Sequence, residues 1–569
     1  MIIGLDVGGT HTDAVLIGKG CILRQAKIPT EHANLFECVR AGLDQVTEGI
    51  PPDSIHRAVL STTLTTNAIA EGKLAPTGMI VSSGPGVDPA AFQTGGQYFC
   101  VAGSIDHRGR EIQPIDDSEI ESIAARFRAE GIRQVGVVSK FSVRNPKHEL
   151  RIAEILGKNF DTIVLGHRLS GNLNFPRRIA TAYLNAAVHS IHKRFFESVK
   201  ASLTKKGMSI PIFVLKADGG TMSLESSMDT PGQTILSGPA ASVMGALPFA
   251  SEDEDTLVLD IGGTTTDMAV FVRRVPLLEP LGGEIGGHKT LIRSLKTESI
   301  GLGGDSAVRI VDGEICIGPD RQGFAMAYGG CFPTPTDALF VLGMVRDGDA
   351  EAARKGLQPL AEQLQVPLQD AAAAIFDAAC RRILAAAGAM IDAVNSKPVY
   401  TVKEMLSGYK VVPREVLVLG GPAPYFAQHL AELSDLSVKV VPQWHVANAI
   451  GAALAKSTSE VTLFADTEQG IAIAPEEDFT LRIKRDFNRQ SATALAFDLL
   501  RAKCKRMGIP DTELDMEVVE DLQFNMVREF YTSGRNIRIK VQVKPGLIPG
   551  HRKLTECMFD YCPLPGSIG

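Results

Sequence analysis

Short apolar stretches alternate with amphipathic segments along most of the chain, and this rhythm predicts buried strands covered by helices. In the first part, apolar runs predict strands at residues 58–61, 77–82, 135–139 and 161–165. Residues 117–131 and 145–157 carry apolar positions at helical spacing. Strands and helices in alternation are typical of α/β proteins, in which helices cover the faces of a largely parallel sheet.

The second part continues this pattern and then changes. It contains a helix-rich segment at 337–394 with an alanine-dense stretch at 371–389, strands at 416–419 and 438–441, and a helix of small residues at 445–456. Beyond residue 456, strands at 479–483 and 537–543 flank a helix at 493–507, which predicts a separate α+β domain. The tail from Pro545 is rich in proline and glycine and is expected to be loop-like.

An internal repeat organises the chain. Residues 4–17 read GLDVGGTHTDAVLI and residues 258–271 read VLDIGGTTTDMAVF, with seven of the fourteen positions identical in register. The repeat indicates two related halves, each opening with a strand, a glycine turn and a second strand. We therefore predict three domains, at 1–186, 187–456 and 457–569.

Composition narrows the classes of function. The chain has 569 residues, and 58 Lys and Arg against 65 Asp and Glu give a net charge of −7, so nucleic acid is not an expected partner. The apolar helical run at 383–394 contains Asp392 and is too short to span a bilayer. The chain opens directly on MIIGLDVGG, which predicts a strand rather than a leader and favours a cytoplasmic location. Nine cysteines without a CxxC predict free thiols and no zinc ribbon.

The repeated turn has the composition of a phosphate site. Consecutive glycines let backbone N–H groups approach an anion closely, and threonine hydroxyls add donors. An aspartate at the end of the preceding strand is suited to hold hydrated Mg²⁺. Two ordinary hairpins with polar turns are the alternative, which the repetition disfavours. The predicted set is Asp6, Gly8, Gly9, Thr10 and Thr12 with Asp260, Gly262, Gly263, Thr264 and Thr266. If the two turns clasp one polyphosphate, Asp6 and Asp260 share a crevice.

A third glycine segment follows the strand at 416–419. Gly420 and Gly421 end that strand and open a helix, a position suited to close approach of a nucleotide. The alanine- and glycine-rich helix at 447–455 would let two domains pack tightly at a hinge. No Walker A motif and no GxSxG is present, so P-loop and serine-hydrolase signatures are lacking.

An ordered series of motifs extends over residues 1–456. It comprises DVGGTHTD at the start, TTLTTNAIAEGKLAPTG (62–78), FSVRNPKHE (141–149), ADGGTMS (217–223), ILSGPAASVMGA (235–246), LDIGGTTTD (259–267), SIGLGGDS (299–306), PTPTDA (333–338), GGPAP (420–424) and VPQWHVANAIGAALA (441–455). In this series the chain resembles the hydantoinase A/5-oxoprolinase family, within the superfamily of actin, sugar kinases and heat-shock-chaperone ATPases.

The resemblance implies an α/β fold with duplicated ribonuclease-H-like, actin-like ATPase domains and a smaller α+β C-terminal domain. It also implies ATP and Mg²⁺ in the interdomain cleft, with Gly303 and Gly304 among the cofactor-binding residues. The activity implied is ATP-dependent opening of a cyclic amide such as hydantoin or 5-oxoproline, often with a second subunit, and an oligomer is expected. Other relatives are ATP-using subunits of ketone carboxylases.

The chain departs from the family pattern at one place that bears on metal binding. Lys296 and Glu298 occupy positions where the family commonly has an Asp and a His resembling metal ligands. A charged lysine does not ligate a metal, so the second metal site is expected to be altered or lost, and Lys296 becomes a candidate contact for an anionic substrate. Glu298 is a candidate substrate contact with it.

Three further polar residues are candidates for the site. His11 lies inside the first turn, where it would donate to phosphate or substrate in a catalytic role, or serve only as a turn residue. Asn67 and Asp218 lie in motifs that match the family and are candidate substrate or metal contacts, with a structural role as the alternative for each.

Three functions stay open at this point. The first is an ATP-dependent hydrolase that phosphorylates the oxygen of a cyclic amide. The second is a nucleotide-driven subunit of a carboxylase, or another module that activates a protein partner. The third is a small-molecule kinase that releases a phosphorylated product.

Overall fold

A computed structural model of the protein describes residues 1–31, 35–205, 207–279, 281–396, 409–509, 511, 514–528 and 531–560. The first copy of the repeat forms the centre of a six-stranded sheet with the order β12-β11-β4-β1-β2-β3. Its strands are β1 (Ile2–Val7), β2 (His11–Gly18), β3 (Cys21–Pro29), β4 (Arg57–Thr62), β11 (Ile212–Leu215) and β12 (Thr221–Ser223). β1 runs antiparallel to β2 and parallel to β4. The apolar residues of β1 after Ile2 are buried, as the continuous hydrophobic run predicts.

The second copy forms a sheet of the same design. Its strands are β13 (Asp255–Ile261), β14 (Thr266–Val272), β15 (Val275–Pro276), β18 (Thr297–Ile300), β21 (Pro413–Leu419) and β22 (Ser437–Val440). β13 runs antiparallel to β14 and parallel to β21, and β21 runs parallel to β22. Because the two sheets share this order of antiparallel and parallel neighbours, the structure confirms the duplicated α/β architecture.

A parallel four-stranded sheet follows the first copy. It has the order β10-β9-β5-β6, from β5 (Thr77–Ser82), β6 (Gln97–Cys100), β9 (Gln134–Ser139) and β10 (Thr162–Leu165). A short antiparallel pair, β7 (Ser104–Ile105) and β8 (Glu111–Gln113), follows β6 along the chain. The helices of this part are α1 (Leu35–Thr47), α2 (Leu64–Ala70), α3 (Asp117–Ala129), α4 (Lys147–Leu156), α5 (Gly166–Leu169), α6 (Phe175–Lys205), α7 (Leu224–Asp229) and α8 (Ser237–Ala246). The predicted strands at 58–61, 77–82, 135–139 and 161–165 are confirmed.

The second half carries the predicted helical segment. Its helices are α9 (Pro335–Val341), α10 (Ala350–Leu364), α11 (Leu368–Ser396), α12 (Ala423–Leu433) and α13 (Ala447–Leu454), and its short hairpins are β16 (Glu284–Ile285) with β17 (His288–Lys289) and β19 (Val308–Val311) with β20 (Glu314–Ile317). The alanines of α11 pack in one hydrophobic core with β13, β21 and α12. Close helix packing therefore explains the alanine-dense stretch.

The C-terminal part forms its own antiparallel sheet, with the order β25-β24-β23-β27-β26. Its elements are β23 (Glu460–Asp466), β24 (Ile471–Ala474), β25 (Phe479–Arg482), α14 (Arg489–Arg506), β26 (Met516–Arg528), β27 (Tyr531–Val543) and α15 (His551–Asp560). α14 packs on the sheet through a separate hydrophobic core. The predicted α+β organisation is confirmed for this part.

Small residues of α13 bring the two halves into close contact. A Cβ on Gly451 would lie 2.2 Å from the carbonyl oxygen of Ala241 in α8, and a Cβ on Gly4 in β1 would lie 2.1 Å from the carbonyl oxygen of Ala449. Only glycine fits at either position without moving backbone atoms. The prediction that this helix packs tightly between domains is therefore confirmed.

The C-terminal tail, the cysteines and the first predicted domain boundary differ from what the sequence predicts. The tail from Pro545 is not all loop, because α15 forms after Gly550; Pro563 and the other residues beyond 560 lie outside the described residues. The cysteines are not all free, because Cys21 at the start of β3 forms a disulfide with Cys557 in α15. The predicted boundary at 186/187 falls inside α6, so the first sheet draws strands from both sides of it. Among the described residues, no helix combines the length and apolar character needed to cross a membrane.

Candidate phosphate site between the repeated turns

The two glycine turns have the same hydrogen-bonded geometry. In the first, the Gly8 N–H donates to the carbonyl oxygen of His11 at 3.0 Å, and in the second the Gly262 N–H donates to that of Thr265 at 2.9 Å. The flanking strands also pair alike, since Asp6 lies opposite Asp13 and Asp260 lies opposite Asp267. Each half therefore presents a pair of carboxylates on neighbouring strands beside a tight turn.

The structure brings the two repeated aspartates together. The Asn448 side chain, in α13, donates from Nδ2 to Asp260 Oδ2 at 3.2 Å and also hydrogen-bonds Asp6. Each carboxylate has a serine on its own side: Ser61 donates to Asp6 and Ser242 donates to Asp260. One amide side chain thus connects the two halves at the turns, and Asp6 and Asp260 lie close together.

Desolvation and mutual repulsion dominate the electrostatics of this cluster. Burial raises the pKa of Asp6 to about 7; the Ser61 hydrogen bond opposes the shift, and the charges of Asp13 and Asp260 add to it. Desolvation, with the charge of Asp260, raises the pKa of Asp267 to about 7. Desolvation also raises the pKa of Asp260. Carboxylates held this close favour a bound cation.

The two halves differ in how the second aspartate is neutralised. In the first half, Lys27 Nζ lies 2.9 and 3.1 Å from the two carboxylate oxygens of Asp13 and donates to the carbonyl oxygen of His445 at 2.8 Å. In the second half, Asp267 has the Ser299 side chain as its hydrogen-bond partner. Lys27 thus compensates one carboxylate pair and leaves the other with less compensation.

The third glycine segment lies against the second turn. A Cβ on Gly420, where φ is +94°, would lie 2.6 Å from Asp260 Oδ1 and 2.2 Å from the carbonyl oxygen of Ile261. No heavy atom lies within 4 Å of the position of a Cβ on the exposed Gly421. Gly420 is therefore required for close packing, while Gly421 leaves room beside Asp260.

Gly303 and Gly304 support the second turn from behind. The Gly304 N–H donates to the carbonyl oxygen of Gly262 at 2.9 Å, and the Asp305 N–H donates to that of Gly263 at 2.6 Å. A Cβ on the buried Gly303 would lie 2.5 Å from the carbonyl oxygen of Gly262. The backbones of these two glycines pack on the second turn, and their direct contact with a cofactor stays a prediction.

Thr12 and Thr266, two of the four threonines predicted to contact phosphate, lie in the strands rather than in the turns. Both are fully buried strand residues, and their hydroxyls bond inside the protein, Thr12 with Thr30 Oγ1 at 3.1 Å and Thr266 with the carbonyl oxygen of Leu302 at 2.7 Å. Thr10 and Thr264 lie within the turns themselves and are partly exposed. Of the four threonines, Thr10 and Thr264 therefore stay candidates for phosphate contact.

His11 and Asn67 both lie at the first turn. Asn67 Nδ2 is 3.9 Å from the position of a Cβ on Gly9. Burial, aided by the charges of Lys27 and Arg321, lowers the pKa of His11 to about 4. The imidazole is therefore neutral near pH 7, so any role in phosphate contact is that of a neutral hydrogen-bonding group.

The structure does not place Asp218 at the turns as a free ligand. Asp218 Oδ2 lies 3.2 Å from Lys216 Nζ, and Oδ1 accepts from the Gly220 N–H at 3.0 Å. Burial alone would raise the pKa of Asp218, but the positive charges of the neighbouring Lys216 and Arg293 hold this pKa below its ordinary value. Because Thr458 also contacts Asp218, this residue belongs to a buried ion-paired network that reaches toward the C-terminal sheet. Its role as a substrate or metal contact stays a prediction.

Lys296 and Glu298 neutralise each other. Lys296 Nζ lies 2.8 Å from Glu298 Oε1 and 3.1 Å from Glu279 Oε1. Glu298 pairs with Met268 in the register of β18 and β14, beyond Asp267 on the way from the turn. Two carboxylates already pair with the Lys296 charge, and a contact between Lys296 and an anionic substrate stays a prediction.

Sequence reasoning missed three residues of this cluster. A signal existed for Asn448, which is a polar residue in an otherwise small and apolar helix. Lys27 has no distinctive pattern in β3, because its partners lie on β2 and in the segment before α13. Arg321 lies after β20 and pairs with Asp305 at 3.0 Å. Asn448 and Lys27 make contacts across 188 and 418 residues, with Asp260 and His445 respectively.

The donor set fits a hydrated magnesium ion. Within the described ranges, no three His, Cys, Asp or Glu side chains form a group that could hold a metal. Mg²⁺ commonly keeps several waters and uses one or two carboxylates together with substrate phosphates. Asp6 and Asp260 supply two neighbouring carboxylates, and desolvation by burial is the main cause of the raised pKa of each.

Comparison with known proteins identifies the family. Residues 178–461 match the hydantoinase/oxoprolinase family model, and residues 2–160 match the model of the hydantoinase/oxoprolinase N-terminal region. The chain therefore belongs to the hydantoinase/oxoprolinase family.

The chain is also similar to two named relatives and to one solved structure. It is 23% identical over 498 residues to caprolactamase subunit alpha of Pseudomonas jessenii, covering 78% of this chain and 68% of the relative. It is 26% identical over 394 residues to the acetophenone carboxylase gamma subunit of Aromatoleum aromaticum, covering 60% of this chain and 53% of the relative. The crystal structure of ATP-dependent caprolactamase from Pseudomonas jessenii superposes with a TM-score of 0.71 at 18% identity, covering 95% of this chain and 87% of the other. The fold is thus α/β with duplicated ribonuclease-H-like, actin-like ATPase domains and a smaller α+β C-terminal domain.

Proposed function

We propose that this protein is an ATP-dependent hydrolase that opens a cyclic amide by phosphorylating the amide oxygen. The observation that carries the proposal is the meeting of the two repeated turns, with Asp6 and Asp260 bridged by Asn448. The backbone N–H groups of the turns would bind the phosphates, and the two carboxylates would hold hydrated Mg²⁺, which supplies charge neutralisation when bound. The relative named caprolactamase supports a lactam as the substrate class.

The proposed reaction has three steps. The amide oxygen attacks the γ-phosphorus of ATP, the bond from that phosphorus to the bridging oxygen breaks, and ADP leaves with the electron pair. Water adds to the activated carbon and the C–N bond breaks, giving an amine and an acyl phosphate. A second water then releases inorganic phosphate and the carboxylate.

The residues of the chain act mainly by positioning. The two turns hold the phosphates in line with the acceptor oxygen, which is where most of the rate enhancement of phosphoryl transfer arises. Neutral His11 and the Asn67 amide, both beside the first turn, are proposed to orient the reacting groups. Closure around α13, where the halves meet, would exclude water from the γ-phosphate of ATP until the amide oxygen is in place.

A second candidate is the ATP-using subunit of a carboxylase. It is favoured by the identity to the acetophenone carboxylase gamma subunit. The names of both relatives mark them as subunits, so we propose that this chain also works with a second subunit. In that case a ketone with bicarbonate, rather than a cyclic amide, would accelerate ATP turnover.

The test is ATP hydrolysis by the purified chain, with and without a co-encoded subunit. Phosphate release is measured against a panel of hydantoin, 5-oxoproline and caprolactam, and in a second arm against ketones with bicarbonate, with products analysed by mass spectrometry. We expect a cyclic amide to stimulate turnover and to yield the ring-opened amino acid. Asp260→Asn should abolish the stimulation, while the exposed Asp253→Asn should not.

Three outcomes would contradict this proposal. A stable phosphorylated product would indicate a kinase, and stimulation by a ketone with bicarbonate would indicate the carboxylase alternative. The absence of stimulation by every cyclic amide, with the second subunit present, would refute the hydrolase.

A further inference from the structure

Arg321 lies beside the second turn on the loop that follows β20. Its Nη2 is 3.0 Å from Asp305 Oδ2, its Nε donates to the carbonyl oxygen of Gly323 at 3.0 Å, and its guanidinium lies 5.1 Å from the centre of the Phe324 ring. The side chain is 22% exposed. Of the five guanidinium N–H donors, these contacts use the Nε and part of one terminal nitrogen, so donors are left for a further ligand.

Asp305 holds this arginine against the phosphate turn. The Asp305 N–H donates to the carbonyl oxygen of Gly263 at 2.6 Å. Asp305 Oδ2, the atom that pairs with Arg321, lies 2.8 Å from the position of a Cβ on Gly263. The guanidinium is therefore separated from the second turn by one carboxylate.

Arg321 also acts on the first turn. Burial lowers the pKa of His11, and the charges of Lys27 and Arg321 lower it further. The charge of Arg321 therefore reaches His11 in the first turn, and its guanidinium contacts Asp305, which packs on the second turn. The proposed function places the triphosphate between these two turns.

The charge balance gives Arg321 a distinct position in the cluster. Lys27 is held by both carboxylate oxygens of Asp13 and by a backbone carbonyl, whereas Arg321 makes a single ion pair within the described part of the chain, with Asp305. A γ-phosphate between the turns would carry more negative charge than Asp305 and could accept through two oxygens, whereas Asp305 accepts from Arg321 through Oδ2. Charge would therefore favour exchange of Asp305 for phosphate.

We propose that Arg321 binds the transferred phosphoryl group of ATP and that Asp305 holds it when no nucleotide is bound. This inference rests on the proposed function. The arginine neutralises charge on the γ-phosphoryl oxygens as the bond to ADP breaks and the bond to the acceptor oxygen forms. Asp305 then has a positioning role: it keeps the guanidinium beside the turn and competes with phosphate for it.

The experiment compares the affinities of AMPPNP and ADP in the presence of Mg²⁺ by calorimetry. Arg321→Met should weaken AMPPNP binding by about 10-fold or more and leave ADP binding nearly unchanged, because only AMPPNP has the third phosphate. Arg321→Lys should recover part of the loss. Asp305→Asn should strengthen AMPPNP binding, because it frees the arginine. The matched control is Arg309→Met, which breaks the Arg309–Asp320 pair of the same region and should leave the ratio of affinities unchanged.

The signs of these effects separate a ligand-binding role from a structural one. If the pair only stabilises the loop, Arg321→Met and Asp305→Asn should weaken both nucleotides alike, and that result would overturn the role of Arg321. Equal loss of AMPPNP and ADP affinity in Arg321→Met would overturn it as well. If the wild-type protein binds neither nucleotide, the proposed function fails and this inference fails with it.

Discussion

Replacement of Asp6 by asparagine should make the nucleotide-free protein more stable at alkaline pH while removing its activity. Asn keeps the size of the side chain, and its oxygen can still accept the Ser61 hydrogen bond. It removes a buried negative charge that faces Asp13 and Asp260. The residue is 5% exposed, so little solvent screens that charge.

The size of the effect follows from the pKa of about 7, which replaces an ordinary value of 3.8. An acid with a raised pKa binds its proton more tightly in the folded state, so stability falls as pH rises from 3.8 to about 7 and stays reduced above that. A shift of this size corresponds to about 4 kcal/mol at pH 8 and about 2 kcal/mol at pH 5 as upper values. We therefore expect the stabilisation by Asp6→Asn to be about 2 kcal/mol larger at pH 8 than at pH 5.

Thermal unfolding at both pH values, without nucleotide or metal, measures this difference. For a folding unit of about 150–250 residues, 2 kcal/mol corresponds to about 4 to 8 °C in melting temperature. Asp253→Asn, at an exposed position, is the matched control and should show no such dependence on pH. An Asp6→Asn variant that is equally stabilised, or destabilised, at pH 5 and pH 8 would refute the electrostatic reasoning.

Three further predictions follow from the same structure. Gly451→Ala should strongly destabilise the protein, because the added methyl group would lie 2.2 Å from a carbonyl oxygen of α8. Gly388→Ala, in α11 with open space around it, is the control and should stabilise the protein by up to about 1 kcal/mol. Melting curves compare the two variants. Lys27→Met should lower stability by about 1 kcal/mol, a modest value because Lys27 is partly exposed, and adding Asp13→Asn should restore most of the loss in a double-mutant cycle. Affinity for Mg·ATP should fall as pH decreases below about 7, because Asp6 must lose its proton to hold the ion; calorimetry from pH 6 to pH 8 measures it, and a flat profile would contradict it.

The local parts of the fold and site are predictable from the sequence. Each turn is set by the residues within it, so the repeat at residues 4–17 and 258–271 predicts both strand–turn–strand units. The continuous apolar runs predict the buried strands, because a parallel sheet is covered on both faces. The alanines and glycines of α13 predict close packing between the halves.

The remaining features depend on partners far away in the chain. Asn448 meets Asp260 across 188 residues, and Cys21 meets Cys557 across 536 residues. Local patterns carry no information about such pairings. The repeated motif predicts that Thr12 and Thr266 contact phosphate, but both side chains are buried within their strands. α15 was missed because the prolines and glycines on both sides of it dominate the composition of the tail.

The central claim is that two distant turns bind one triphosphate, and a structure of the protein with AMPPNP and Mg²⁺ tests it most directly. We expect the phosphates to lie between Gly8–Gly9 and Gly262–Gly263, with the metal ion near Asp6 and Asp260. A nucleotide that contacts one turn alone, or that binds away from Asn448, would contradict the account.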